Sequence, residues 1–368
     1  MRPTLFISGG HMTPAVAVID EIRERKLPWD IVFIGRKNSL EGTRIESVEY
    51  QEMKRRGIPF EPLVTGRISR VLTPWAVWSV LKIPIGLIQA MYYVVRHRPV
   101  LVLSFGGYIG APVVVAARLF NIPIVVHEQT RVMGLSNRLI AKLARVVLLS
   151  YSSNHGDGRK VYYTGLPIRK ELFHPPKHPS FQIGSEKPIL YFTGGSTGAV
   201  TLNDALFPII ETLIHDWTII HQTGAVSYAK ALALKAMLPK NVKDRYIVSH
   251  YFSVSDVSWI LCQATIVVGR SGANTVGELA ALGIVSILIP LPWSGANEQQ
   301  ENAWWLQSQG AAIVVPQDRD TGKQIIAAIN TLTSHRKTYQ DAAQTLQQSI
   351  PKDASSSLVD KLVKIIGS

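Results

Sequence analysis

The sequence predicts an α/β protein made of two doubly wound parallel-sheet domains, and three features of its 368 residues carry that prediction. Short apolar runs alternate with helical stretches along the chain. The first run is followed at once by a glycine loop and a helix. Near the middle, the same strand, glycine loop and helix begin again. Strands buried on both faces read as continuous apolar runs, and parallel neighbours need crossover helices between them, so this alternation is what such sheets require.

In chain order, residues 4–7 predict a buried strand, Ser8-Gly9-Gly10-His11 a loop, and 14–25 a helix. Further strands are expected at 30–34, 99–104 and 122–126. Residues 174–188, rich in proline, histidine and lysine, read as a linker or exposed loop. Then come a strand at 189–193, the loop Gly194-Gly195-Ser196-Thr197-Gly198 and a helix, with later strands at 218–222, 247–249, 266–268 and 286–289. No short-period repeat or low-complexity tract interrupts the pattern. The length suits two domains of roughly 150 to 200 residues each.

A hydrophobic content of 46% with 18% charged residues excludes a disordered chain. Lysine and arginine number 39 against 26 acidic residues, a net charge of +13. Such a surface attracts nucleic acid, anionic membrane or phosphate-bearing substrates. The basic residues are scattered and no recognition motif appears, which disfavours nucleic acid. Cys262 stands alone, so no internal disulfide forms; its apolar run predicts a core position and a reducing compartment. Residues 1–7 carry no long apolar region or cleavage site, so no signal peptide is expected.

Two loops suit an anion. Gly194-Gly195-Ser196 lies between a strand and a helix, where backbone N–H groups and the helix dipole favour phosphate; a plain tight turn fits the same residues. Arg270-Ser271-Gly272-Ala273-Asn274-Thr275-Val276-Gly277-Glu278 has the same setting and adds a carboxylate near the helix start. Glu278 reads either as a helix-dipole partner or as an acceptor for two ribose hydroxyls. No Walker or dinucleotide fingerprint is present, and no histidine–cysteine cluster has metal-ligand spacing, so neither a metal nor a cofactor is expected.

Read together, the ordered segments Ser8 to Pro14, Ser104-Phe105-Gly106-Gly107-Tyr108, His127-Glu128-Gln129, Gly134-Leu135-Ser136-Asn137-Arg138, Thr164 to Arg169, Gly194 to Ala199, Gln222-Thr223-Gly224, Arg270 to Glu278 and Glu298 to Ala303 resemble one family. That is glycosyltransferase family 28, the MurG family of N-acetylglucosaminyltransferases. The resemblance covers essentially the whole chain. It implies a GT-B fold, two Rossmann-like domains facing a central cleft, with divisions near 1–165 and 166–350 and a last helix in 351–368 returning to the first domain. It also implies inverting transfer from UDP-N-acetylglucosamine to lipid I at the cytoplasmic face of a membrane. On that basis Glu278 meets the ribose, Ser196, Arg169, Asn274 and Thr275 meet phosphate, Val254 lies beside the uracil, and Gln299 contacts the sugar. Ser8, Gly9, Gly10 and Thr130 complete the donor set. Gly9, Gly10, Gly106 and Gly107 form the acceptor loops, and His11 is a candidate base for the acceptor hydroxyl, with a positioning role the other reading.

The chain departs from the family in several places. Only Ser8-Gly9-Gly10 precedes His11 where the family has a longer loop, and Thr130 replaces an asparagine. Thr197, Leu166 and Glu298 also stand where other residues are usual. These departures leave room for a related transferase acting on diacylglycerol or another polyprenyl lipid. A UDP-N-acetylglucosamine 2-epimerase would need paired carboxylates that are not evident, and a non-catalytic UDP-sugar binder would bind without turnover.

Residues 71–95 are nearly all apolar, but Lys82 at their centre costs about 2.5 to 3.5 kcal/mol on insertion, and Pro74, Pro84 and Gln89 weaken a spanning helix further. Two helices are expected, one buried and one interfacial. Trp75, Trp78 and Leu81 would face lipid while Arg67, Arg70, Lys82, Arg96 and Arg98 meet anionic headgroups; an ordinary core helix is the alternative.

Overall fold

The computed structural model describes residues 2–38, 46–66, 74–131, 133–151, 160–184, 186–195, 198–293 and 297–367. They form two compact units, Met1–Ile168 with Asp353–Ser368, and Arg169–Lys352.

The first unit holds strands β1 (Thr4–Ser8), β2 (Asp30–Gly35), β3 (Phe60–Pro62), β4 (Leu101–Ser104), β5 (Ile124–Glu128), β6 (Val146–Leu149) and β7 (Val161–Tyr163). Its helices are α1 (Met12–Glu24), α2 (Val48–Arg55), α3 (Pro74–His97), α4 (Gly107–Leu119) and α5 (Leu135–Leu143). The strand order is β3-β2-β1-β4-β5-β6-β7, all parallel. The chain winds outward from β1 in one direction and from β4 in the other, so the topological switch lies between them, where Ser8 pairs with Ser104. Alternation along β1 sends Leu5 and Ile7 to a core with Val18 and Ile22 of α1, and Phe6 to a second core with Val94 of α3 and Val113 of α4.

The second unit holds β8 (Ile189–Thr193), α6 (Val200–Leu213), β9 (Thr218–Gln222), α7 (Ala225–Met237), β10 (Tyr246–Ser249), α8 (Val254–Gln263), β11 (Ala264–Gly269), α9 (Ala273–Leu282), β12 (Ser286–Leu288), α10 (Glu298–Ser308), β13 (Ala312–Val314), α11 (Thr321–Ser334) and α12 (Arg336–Ser349). Its parallel order, β10-β9-β8-β11-β12-β13, puts the switch between β8 and β11. A last helix, α13 (Ala354–Ile366), belongs to the first unit. Its Leu358, Val359 and Leu362 are fully buried in the core of Leu5 and Ile7, and Asp360 pairs with Arg25 at 2.6 Å.

The structure corrects two expectations. Residues 74–97 form one helix, α3, with Pro84 inside it. The missing amide does not end the helix because tertiary contacts clamp it: Gln89 Oε1 accepts from the Val64 amide at 2.9 Å, and Tyr93 donates its hydroxyl to Pro62 O at 2.7 Å. Among the described residues, no helix is long and apolar enough to cross a membrane. Cys262 is exposed, because α8 turns Asp256, Ser258, Ile260 and Leu261 inward and leaves Cys262 outside. Of the two readings of residues 174–188, the exposed loop fits: those described are exposed or half-buried, form no helix or strand, and lie within the second unit. Asp256 holds them through the Ser180 amide and hydroxyl at 2.7 and 2.8 Å, and Phe181 packs edge-on to Trp259.

Candidate active site

In an open parallel sheet, ligands bind beyond the carboxyl ends of the strands at the switch point. Both units put glycine loops there. In the first, Gly9 follows β1 at φ +135°, and a Cβ on it would lie 2.8 Å from the Phe105 carbonyl carbon. Only glycine lets the β1 and β4 loops approach this closely. The Phe105 amide donates to Ser8 O at 2.7 Å, and Gly10 lies beside Gly107. The acceptor loops expected at Gly9, Gly10, Gly106 and Gly107 are therefore one continuous surface within this unit. Ser8 forms its floor, with no exposed surface.

His11 stands at the N-cap of α1, and its side chain makes no cap hydrogen bond. Burial lowers its pKa, so its ring is neutral at physiological pH and has a lone pair for a proton. Behind it, the His127 ring donates from Nε2 to Gly165 O at 3.1 Å and accepts at Nδ1 from Gln129 at 3.2 Å. Burial brings the His127 pKa down to about 4. Thr130, expected against the sugar, is buried: its amide and hydroxyl donate to Glu128 Oε1 at 3.0 and 2.8 Å.

In the second unit, the β8 loop is braced from both sides. Thr193 Oγ1 accepts from the Gly195 amide at 3.1 Å, and Gln222 donates to Gly195 O at 3.0 Å while accepting from the Phe252 amide at 3.0 Å. Ser196 lies outside the described residues. The β11 loop leads into α9, whose N-cap Gly272 contributes no side-chain cap, so the amides of its first turn keep their donors for a ligand. Asn274 and Thr275 sit in that turn. The Asn274 Oδ1 is buried without a partner among the described residues, and so is Arg169 Nε.

Glu278 is the sixth residue of α9, in its second turn, too far along the helix for the dipole role. Half-buried, it has its pKa raised by burial against the opposing pull of Arg169. Val254 opens α8 beyond the end of edge strand β10, half-buried between exposed Ser253 and Ser255. Gln299 is held in the first turn of α10. Its Oε1 accepts from the Leu291 amide at 3.0 Å, and its carbonyl accepts from the Ser271 hydroxyl at 2.8 Å. Arg270 is buried and spent on Ile289 O and Thr201 Oγ1 at 3.0 and 2.9 Å. Among the described residues, no three histidine, cysteine, aspartate or glutamate side chains gather as metal ligands.

Of the expected residues, Ser8, Gly9, Gly10, His11, Gly106 and Gly107 lie at the β1/β4 switch and Asn274, Thr275 and Glu278 at the β8/β11 switch, while Thr130, Arg169, Val254 and Gln299 follow other strands. The braces Gln222 and Glu128 were not singled out as site residues. Their signal is a polar residue closing an otherwise apolar strand, as in Ile-Val-Val-His-Glu of β5 and Thr-Ile-Ile-His-Gln of β9.

Two Rossmann-like units, each with a glycine loop at its switch, make a fold of the GT-B class. The glycosyltransferase family 28 N-terminal domain matches residues 8–149, and that family's C-terminal domain matches 189–358. Over 98% of the chain, it is 30% identical to the UDP-N-acetylglucosamine–N-acetylmuramyl-(pentapeptide) pyrophosphoryl-undecaprenol N-acetylglucosamine transferase of Desulforudis audaxviator, covering 96% of that protein. The Bacillus subtilis enzyme of the same name is 29% identical, with 97% of each chain covered. The crystal structure of Acinetobacter baumannii MurG superposes with a TM-score of 0.72 at 25% identity, over 98% of this chain and 99% of that one. The chain belongs to glycosyltransferase family 28. A UDP-N-acetylglucosamine 2-epimerase from Neisseria meningitidis, 12% identical with a TM-score of 0.64, shares the fold alone.

Proposed function

We propose that this protein transfers N-acetylglucosamine from UDP-N-acetylglucosamine to N-acetylmuramyl-(pentapeptide) pyrophosphoryl-undecaprenol, lipid I, with inversion at the anomeric carbon. The observation that carries the reading is Glu278. It makes no hydrogen bond with a described residue, lies within the field of Arg169, and stands one turn behind an uncapped helix start.

In this reading the second unit binds the donor. The α9 amides at Asn274 and Thr275, together with Arg169, take the diphosphate, and Glu278 accepts the two ribose hydroxyls. Val254 packs beside the uracil, and Gln299 meets the sugar; Ser196 joins them by resemblance. The first unit binds the acceptor's pyrophosphate on the Gly9–Gly10 and Gly106–Gly107 surface. Neutral His11 takes the proton of the attacking hydroxyl as the new glycosidic bond forms, and the bond to UDP breaks with its electrons leaving on the diphosphate. The amides and Arg169 stabilise that departing charge.

The acceptor is a lipid, and α3 supplies a surface for one. Leu81, Ile85, Ile88, Tyr92 and Val95 are 49–65% exposed and recur every three or four residues along one face of α3. Lys82 flanks that stripe, as an interfacial helix on anionic lipid requires. Arg96 is committed to Glu61 at 3.3 Å, and the side chains of Trp75 and Trp78, with Arg67 and Arg70, lie outside the described residues. The protein then works as a peripheral enzyme at the cytoplasmic face of the membrane. Incubating it with UDP-N-acetylglucosamine and a lipid I analogue tests the proposal. A product heavier by one N-acetylhexosamine, with release of UDP, is expected; UDP-sugar binding without that product refutes it.

A further inference from the structure

The turn into α4 passes through Gly106 and Gly107, both left-handed at φ +74° and +75°. A Cβ on Gly106 would run into the carboxamide of Asn137, so the chain wraps closely around that side chain. Asn137 Oδ1 accepts from the Gly107 amide at 2.9 Å, and Asn137 Nδ2 donates to Glu128 Oε2 at 2.6 Å. The other oxygen of Glu128 is filled by the Thr130 amide and hydroxyl. Glu128 and Asn137 are both buried.

This chain of bonds has a direction. An ionised carboxylate only accepts, so it forces the NH₂ of Asn137 toward itself and the carbonyl oxygen toward Gly107. From these contacts we infer that Glu128 is a positioning residue for the lipid-linked acceptor: through Asn137 it fixes the Gly106–Gly107 loop, and with it the amides of Tyr108 and Ile109 at the start of α4. The inference rests on the reading of the first unit as the acceptor site.

Reversing the polarity of the relay tests it. In Glu128→Gln, the new NH₂ meets the NH₂ of Asn137; if Asn137 turns over, its NH₂ meets the Gly107 amide instead. In Asn137→Asp, two carboxylates face each other. In the double variant, the carboxamide introduced at position 128 still accepts from Thr130 through its oxygen. Its NH₂ donates to the carboxylate introduced at position 137, which in turn accepts from the Gly107 amide, so every bond is restored.

Each single variant is expected to raise KM for the lipid I analogue about tenfold or more, because a small misplacement of a binding group is costly. The double variant is expected to return to within about threefold of the wild type, and UDP affinity to stay within about twofold throughout. Amide exchange in the Gly106–Ile109 segment, which needs no catalysis, should quicken in both single variants and slow again in the double. A double variant no better than the singles overturns the inference, as does unchanged exchange in the singles. Restored exchange without any lipid I transfer by the wild type would leave the relay standing and remove the assigned substrate. Singles that weaken UDP binding in parallel with acceptor KM would overturn the division of substrates between the units.

Discussion

Replacing Glu278 with alanine separates a binding role from a structural one, because the two predict opposite outcomes. A carboxylate accepting two ribose hydroxyls makes two charge-assisted hydrogen bonds of about 1.5 to 3 kcal/mol each. Allowing for their non-additivity, losing both costs about 3 kcal/mol, or roughly a hundredfold in Kd for UDP. Stability should move the other way or not at all. Burial raises the pKa of Glu278, so folding disfavours its ionised form, and alanine is the better helix former within α9. Calorimetry with UDP and with pyrophosphate, beside a thermal melt, reads all of this. The expected result is weaker UDP binding, unchanged pyrophosphate binding and an equal or higher Tm. UDP affinity within about twofold of the wild type, or a Tm falling with it, would refute the reasoning.

For His11→Ala, turnover should fall by about a hundredfold or more with UDP affinity retained, and the acidic limb of the wild-type kcat profile should lie below the ordinary histidine value of 6.5, since burial favours the neutral ring. His127 and His221 are held neutral in the fold, at about 4 and about 3, so the unfolded chain binds protons first as pH falls. The contribution of these two histidines to stability is therefore full above pH 6.5 and is lost between 6.5 and about 4 for the first unit and about 3 for the second, with His127 alone worth about 3 kcal/mol; urea melts across that range, compared with those of a His127→Gln variant, measure it. Ile88→Asp should abolish co-sedimentation with anionic vesicles while leaving transfer to a soluble acceptor analogue intact.

What the sequence made legible follows from which forces are local. Strands such as 218–222 stand out because both faces of a parallel sheet demand apolar side chains, and β9 spans those same five residues. β3, β7 and β13, of three residues each, escaped notice because so short a run has no periodicity to read; β6 merged with the apolar stretch around it. Pro84 suggested a break in α3, yet contacts from Val64 and Pro62, far off in sequence, hold the helix through it. Cys262 shows the same limit, since an apolar neighbourhood in sequence says nothing about which side of α8 faces outward. The glycine loops were plain because backbone requirements are local. The partners that orient them were not: Gln222 reaches 27 residues back to Gly195, and Asn137 reaches 30 back to Gly107.

The helix α13 has a consequence for synthesis. Leu358, Val359 and Leu362 fill a place beside Leu5 and Ile7 that nothing translated earlier occupies. As the ribosome delivers the chain, the amino-terminal lobe waits with an oily groove open along α1 while the whole of the other lobe emerges and folds. The first half to be made is the last to be finished, and transiently exposed apolar surface of that kind is prone to aggregate. A stop codon just ahead of Ala354 would accordingly damage the lobe at the far end of the gene product, not the one in which translation ended.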